Sequence, residues 1–362
     1  MADFHNNPFD EATLVKLELF KKYIREWIPV FVHMKPAPRR IRIVDFFAGP
    51  GRDADGALGS PLIALEEIRH YEDDIRKVGA KVHLELNEAV ASKASALKGA
   101  MEKEQVAKDL CSWRVRSRDF HQAFEELLPK LRYGPNLLLM DQQGVKFISD
   151  EVFQKILRLP LTDFIFFIAS SALRRFESHP NIQKHIPISK GAVTSRDYND
   201  THRAVAEHYR ELTESSDQEV FLGHFSIKKG PNIYGLIFGS TNHLGMEKFL
   251  RVCWKLDPVR GEANFDIDDE RIEASRPHLF SEMDVPKKVE KFREHIENGI
   301  LSGDLATDGS VYIATLKARM LPMHGREILS DLIKRKLVRC SSRARVSKAG
   351  YREPRRLEVI NG

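Results

Sequence analysis

The chain of 362 residues lacks most features that mark a secreted, membrane-bound or metal-stapled protein. It has three cysteines, Cys111, Cys253 and Cys340, far apart in sequence and without a CxxC pair. That spacing argues against a disulfide framework or a cysteine-based zinc site, so reduced thiols and a cytoplasmic setting are expected. No apolar run approaches the roughly 18 residues needed for a membrane-spanning helix, and no membrane association is expected. The opening MADFHNNPFDEA has neither a basic stretch nor an apolar core, so no signal peptide is expected. His83, His179, His243 and His324 lack metal-ligand spacing, and no metal is expected. No serine or cysteine lies in a recognisable nucleophile elbow. The GK[ST] of a phosphate-binding loop is also missing.

The chain does have an ordinary globular balance, 42% hydrophobic and 30% charged. At about 150 residues per domain, its length predicts two or three domains. The net charge of +5 is unevenly spread. Residues 286–362 hold 17 Lys and Arg against 9 Asp and Glu, so this last fifth is +8 and the rest is −3. A local basic excess suits an acidic partner such as nucleic acid, although a solvated basic tail has the same composition.

Periodicity divides the chain into segments. ATLVKLELFKKYIREWIPVF has helical apolar spacing and predicts an N-terminal helical extension over residues 1–40, ended by KPAPRR. Strand-like and helix-like stretches then alternate: IRIVDFF, SPLIALEEIRHYEDDIRK, KVHLELN, AVASKASALKGAMEKE, WRVRS, HQAFEELLPKL, NLLLMD, SDEVFQKILRL and TDFIFFIAS. Such alternation predicts a parallel sheet with right-handed crossovers. After the helix NDTHRAVAEHYREL, the stretches EVFLGHFSIK and NIYGLIFGS flank KGP and predict a hairpin. The expected fold class is α/β. A Rossmann-like domain over 41–260 is expected, with a parallel sheet closed by an antiparallel hairpin; this arrangement resembles the methyltransferase variation on the doubly wound fold, a likeness that periodicity alone does not show. Residues 261–285 are polar and acidic and read as a linker. Residues 286–362 predict three short helices and a strand pair, the pattern of a winged helix-turn-helix.

The strongest chemical motif is Asp45-Phe46-Phe47-Ala48-Gly49-Pro50-Gly51, where an apolar strand runs into an acid and a Gly-x-Gly loop. Glycines there let the backbone approach a ligand closely. This is the pattern of the first S-adenosyl-L-methionine motif. Asp45 is expected at the amino-acid end of that cofactor, with Phe47, Ala48, Gly49, Pro50 and Gly51 lining the loop. Ser60 and Pro61 begin a helix, with Ser60 as its expected cap, and either cap it or close over the methionine end. A carboxylate at the end of the second strand can accept both ribose hydroxyls. Glu85 is preferred for this, with Glu88 as the competitor. Asp119 and Phe120 follow the third strand, where an acid accepts the adenine amino group and an apolar neighbour covers the ring. Asp119 as a plain helix cap fits equally simply. At the catalytic end, Asp141, Gln142 and Gln143 occupy the place where amino-methylating enzymes carry (D/N)PP(Y/F). The Asp is present; both prolines and the aromatic are not.

These segments together resemble the three-Cys-motif partner family, TcmP. The likeness lies in KLELFKKYIREW, DFFAGPGR followed by GSPLIAL, MDQQGVKF, FFIASSALRRF and STNHLGMEKFLRVCWKLDP. It implies a methyltransferase-like fold and a three-Cys-motif protein as partner, without an established reaction. Family members often carry proline after the Asp141 position, and DQQG departs from that. The expected function is S-adenosylmethionine-dependent methylation of nucleic acid, DNA or RNA. The alternative is a non-catalytic cofactor-binding or sensing protein whose winged helix binds DNA or docks a partner. In the basic module, His324, Arg326 and Lys334 are expected on the outward face of one helix, and Arg343, Arg345 and Lys348 on the wing.

Overall fold

A computed structural model describes residues 8–141, 149–169, 201–214, 218–229, 232–272 and 285–360. Contacts divide the chain into two compact units, 1–242 and 243–362. The first domain had been expected to run to residue 260, and the helix following residue 242 instead groups with the basic module.

The first unit opens with α1, Glu11–Val32, capped by the Asp10 carboxylate, which accepts from Thr13 N at 2.9 Å. Its apolar stripe of Phe20, Tyr23, Ile24, Trp27 and Ile28 is almost fully buried. At about 1.5–3 kcal/mol per buried side chain, that face holds α1 firmly to the sheet domain. Tyr23 donates to the buried Asp163 carboxylate at 2.6 Å and meets Phe238 edge-on at 5.0 Å. The N-terminal helix is therefore an integral layer of this unit.

The alternating elements follow as β1 Arg40–Asp45, α2 Ser60–His70, α3 Glu72–Lys77, β2 Lys81–Asn87, α4 Ala91–Lys103, β3 Cys111–Arg116, α5 Phe120–Leu131, β4 Asn136–Met140, α6 Asp150–Leu157, β5 Thr162–Ala169, α7 Thr201–Glu214, β6 Phe221–Lys229 and β7 Asn232–Ser240. The single helix expected from Ser60 breaks at Tyr71 into α2 and α3. The seven strands lie in the order β3-β2-β1-β4-β5-β7-β6. Strands β1 to β5 pair in parallel, and β7 is antiparallel to both β5 and β6. This is a mixed α/β, mostly parallel seven-stranded sheet, consistent with a Rossmann-like methyltransferase fold. The order reverses between β1 and β4, which opens a crevice at the carboxyl ends of those strands. Gly239 of β7 sits opposite Phe164 of β5, whose ring occupies the space a Cβ would take.

The second unit contains α8 His243–Leu256, α9 Lys287–Leu301, α10 Asp308–Lys317, α11 Pro322–Lys334, β8 Val338–Cys340, α12 Lys348–Arg352 and β9 Leu357–Val359. Strands β8 and β9 pair antiparallel, and an isolated bridge joins Thr307 to Arg356. Between the two strands the chain forms the short helix α12, which the strand-pair expectation had not included. Part of the expected linker is ordered by charge pairing. Arg260 is buried against Glu270 at 2.9 Å and Asp266 at 2.8 Å. Lys288 Nζ donates to the Arg260 carbonyl at 2.7 Å and lies 3.4 Å from Glu262. Among the described residues, no helix is long and apolar enough to cross a membrane.

Candidate functional site

The site is built where β1 runs out. The Asp45 side chain is buried at that strand's last position, and its carboxylate accepts from Ser60 Oγ at 2.6 Å and from Phe47 N at 3.0 Å. Burial pushes the Asp45 carboxyl up to about 7. The two hydrogen bonds oppose this shift, and the negative charges of Asp141 and Glu88 add to it. Gly59 occupies the cap position of α2 and Ser60 is its first helical residue. Ser60 therefore does not cap the helix as expected; its hydroxyl is spent on Asp45. Pro61 follows within the first turn, where its missing N–H costs nothing.

The loop after Asp45 keeps its shape through left-handed glycines, Gly49 at φ 61° and Gly51 at φ 90°. Ala48 N donates to the Asn87 carbonyl at 2.9 Å. A Cβ on Gly51 would meet Leu97 and Ala100 of α4, so that glycine serves helix–loop packing. Asn87 links three strand ends, since its amide nitrogen donates to the carbonyls of Phe46 and Arg118 and its oxygen accepts from Arg118 N. Nothing in the sequence motif pointed to Asn87.

The second acidic position falls to Glu88. One Glu88 oxygen accepts from Gly49 N at 3.1 Å and the other from Val90 N at 2.8 Å, so its carboxylate lies against the glycine loop. Glu85, the residue preferred from sequence, is three residues back inside β2 and is ion-paired with Arg116 at 2.5 Å, their side chains 12% and 6% exposed. Arg116 also contacts Glu126 at 2.9 Å. Glu85 is thus engaged by a buried guanidinium inside the strand, whereas Glu88 lies against the loop. Asp119 caps α5, accepting from Gln122 N at 3.1 Å. Phe120 lies in the core against Phe46 and Phe124, with Phe47 stacked on it at 5.6 Å. Phe120 is thus core packing, and Phe47 is the partly exposed ring of that stack.

Asp141 follows the last residue of β4, at the crevice. Its carboxylate takes Lys16 Nζ from α1 at 2.9 and 3.1 Å. Lys16 also lies 4.8 Å from the Phe167 ring centroid and 5.6 Å from that of Tyr234. Sequence reading missed Lys16, because 125 residues separate it from Asp141 and its helix shows only an apolar stripe. Gln142 and Gln143 lie outside the described residues. The loop from Arg52 to Leu58 is fastened by Phe9 N donating to Asp53 at 2.7 Å. A cavity of about 330 Å³ at this loop has Arg52, Leu58, Leu62 and Glu104 among its lining residues, and none of Asp45, Glu88 and Asp141 lines it.

Three acids, Asp45, Glu88 and Asp141, thus converge with a glycine loop at the carboxyl edge of β1, β2 and β4. The donor and acceptor set suits S-adenosylmethionine. A carboxylate beside the loop fits a diol, and buried Asp45 beside Ser60 fits an ammonium-bearing tail.

No family model and no curated protein matches the chain. Solved structures similar to it include methyltransferases. A Staphylococcus aureus protein described as a putative caffeoyl-CoA O-methyltransferase is 14% identical, with 64% of this chain and 85% of that one covered and a TM-score of 0.32. The METTL16 methyltransferase domain is 12% identical over 60% of this chain and 66% of its own, with a TM-score of 0.33. Trm1 from Pyrococcus horikoshii, solved with S-adenosyl-L-methionine, is 10% identical, with coverage of 98% and 92% and a TM-score of 0.32. At scores this low, the fold assignment rests on strand order and register and not on these likenesses.

In the second unit, Arg326, Lys334, Arg343 and Arg345 are exposed and Lys348 is half-buried. Burial and the neighbouring Arg352 lower the Lys348 ammonium pKa. His324 departs from its expected outward placement. Its Nδ1 accepts from Leu321 N at 3.2 Å, and its ring lies 4.5 Å from that of Trp254. Burial lowers its pKa, and its ring packs as a cap instead of pointing outward. Asp308, fully buried at the start of α10, ties down the segment between β8 and β9. Its carboxylate accepts from Arg345 N at 2.7 Å and from Arg355 N at 2.8 Å.

Proposed function

We propose that the first unit binds S-adenosylmethionine and transfers its methyl group to nucleic acid, which the basic second unit recruits. The observation that carries this reading is the Asp45–Ser60 pair set behind a left-handed glycine loop, with Glu88 on the loop's outer side. In this reading Glu88 accepts the ribose hydroxyls, Asp45 and Ser60 face the amino-acid end, and Phe47 lies along the adenine. The bound cofactor supplies an electrophilic methyl group. The chain's own part is to orient the acceptor and take up its proton, for which Asp141 stands at the crevice. Gln142 and Gln143 are proposed to flank the acceptor there.

The order α9, bridge at Thr307, α10, α11, β8, wing, β9 supports a winged helix-turn-helix. Arg326 and Lys334 on α11 then face the groove, and Arg343, Arg345 and Lys348 follow the phosphates. The proposed domains are the sheet domain with α1 and the basic winged helix. The resemblance to the three-Cys-motif partner family adds a protein partner to this reading. The non-catalytic alternative draws on one feature, the absence of prolines and an aromatic after Asp141. Incubation of the full chain with methyl-labelled cofactor and DNA or RNA separates the two. Label in nucleic acid, lost in Asp141→Ala with cofactor affinity retained, is expected. Cofactor binding without transfer to either polymer favours the alternative.

A further inference from the structure

The Lys16 ammonium occupies a small cage of one carboxylate and two aromatic rings. Asp141 accepts from it at 2.9 and 3.1 Å, and Phe167 of β5 and Tyr234 of β7 lie 4.8 and 5.6 Å from it. Its side chain is only 15% exposed, so the cage holds most of the amine away from water. A carboxylate with aromatic faces is the chemistry that grips alkylammonium groups, including methylated lysine.

Position adds a second observation. In the strand order β2-β1-β4-β5-β7, Glu88 follows β2, on one side of β1, whereas the cage lies over β4, β5 and β7, on the other. A cofactor lying over β1 and β2 leaves the cage side of the crevice to the methyl acceptor. The acceptor side therefore already contains an amine, and its hydrogen bond to a carboxylate gives the proton a route out.

We propose that Lys16 is a self-modification site, an amine acceptor for the methyl transfer described above, on which this inference rests. The Nζ proton passes along the existing hydrogen bond to Asp141. The freed lone pair forms the C–N bond while the C–S bond of the sulfonium donor breaks, its electron pair staying on sulfur to give a neutral thioether. The product is a methylated ammonium that keeps its charge, and Asp141 releases its proton to water. Methylation removes an N–H donor and adds apolar surface against Phe167 and Tyr234, so the modified side chain stays in the cage.

The test uses the purified full chain with trideuteromethyl-labelled S-adenosylmethionine and no other acceptor, followed by peptide mass spectrometry. A trideuteromethyl mass shift at Lys16 is expected, absent in Lys16→Arg and slowed about a hundredfold in Asp141→Asn. A readout without cofactor accompanies it. Acetylation of Lys16 by an N-hydroxysuccinimide ester should rise in Asp141→Asn, because the cage has lost its charge, while other lysines are unchanged. If the cofactor raises the melting temperature but Lys16 carries no label, or label falls only on other lysines, the self-modification is overturned and the cofactor reading stands. If the cofactor neither binds nor labels, both fall. Unchanged acetylation of Lys16 in Asp141→Asn also overturns the cage.

Discussion

Replacing Glu85 and Glu88 separately by alanine separates two roles that lie three residues apart, one inside β2 and one just past its end. Glu85→Ala strips a carboxylate from Arg116, whose side chain is 6% exposed, and leaves only the half-exposed Glu126 to balance it. Breaking a buried pair in this way costs about 3–5 kcal/mol, and the surviving pairing with Glu126 puts the expected loss near the lower end. Glu88→Ala loses the acceptor for Gly49 N and Val90 N at the crevice mouth, each part-buried or exposed. Its stability cost is about 1 kcal/mol. Its effect on cofactor affinity is larger, because two charge-assisted ribose hydrogen bonds are worth about 1.5–3 kcal/mol, or roughly 10- to 150-fold in Kd. Urea unfolding and calorimetric titration with S-adenosylhomocysteine measure the two quantities on the same preparations. Glu85→Ala should lower stability with little change in Kd, and Glu88→Ala the reverse. A stable Glu85→Ala protein that has lost affinity, beside an unaffected Glu88→Ala, would refute the placement of the ribose on Glu88.

Burial of Asp45 makes a pH prediction. Its folded pKa of about 7 lies above the unfolded value, so the native state holds the proton more tightly. Its contribution to stability is complete below about pH 4 and is lost as pH rises through about 7, by up to about 4 kcal/mol. Asp163, pushed up to about 6 by burial, acts with the same sign over a lower window, so the difference between wild type and Asp45→Asn isolates Asp45. Identical pH profiles of unfolding for the two proteins would contradict this. Asp308→Ala removes the acceptor for Arg345 N and Arg355 N and should cost about 3 kcal/mol in the second unit. Hydrogen exchange should quicken at those two amides, and unchanged protection there would count against Asp308 pinning the segment between β8 and β9. Arg343→Ala combined with Arg345→Ala should lower the log–log salt slope of DNA binding by about 0.9 for each phosphate no longer neutralised. An unchanged slope would move the phosphate-binding surface elsewhere.

Much of this architecture is readable in the sequence because its signals are local. Alternation of apolar strands with amphipathic helices gives β1 to β5. The glycine motif is local as well, since Gly49 and Gly51 require their left-handed conformation wherever the strand ends. Long-range pairings were harder to read. Whether Glu85 or Glu88 faces the loop depends on where β2 stops, and Arg116, which claims Glu85, comes from a different strand. Ser60 looks like a helix cap until Asp45, 15 residues earlier, takes its hydroxyl. Lys16 has no local motif, and only folding brings α1 to the end of β4. The polar stretch around Arg260 and Glu262 reads as linker because its pairing with Glu270, Asp266 and Lys288 is invisible to composition. His324 looked exposed by helical spacing, but Trp254 of a separate helix covers it.

Calorimetric titration of the full chain with S-adenosylhomocysteine, paired with thermal unfolding, tests the central claim most directly. Saturable heat and a stabilisation of about 2.7 kcal/mol at 100 times Kd are expected. Both should vanish in Gly49→Val, whose β-branched side chain is strained at φ 61°. No heat and an unmoved melting temperature in the wild-type protein at millimolar ligand would contradict a cofactor site at Asp45, Gly49 and Glu88.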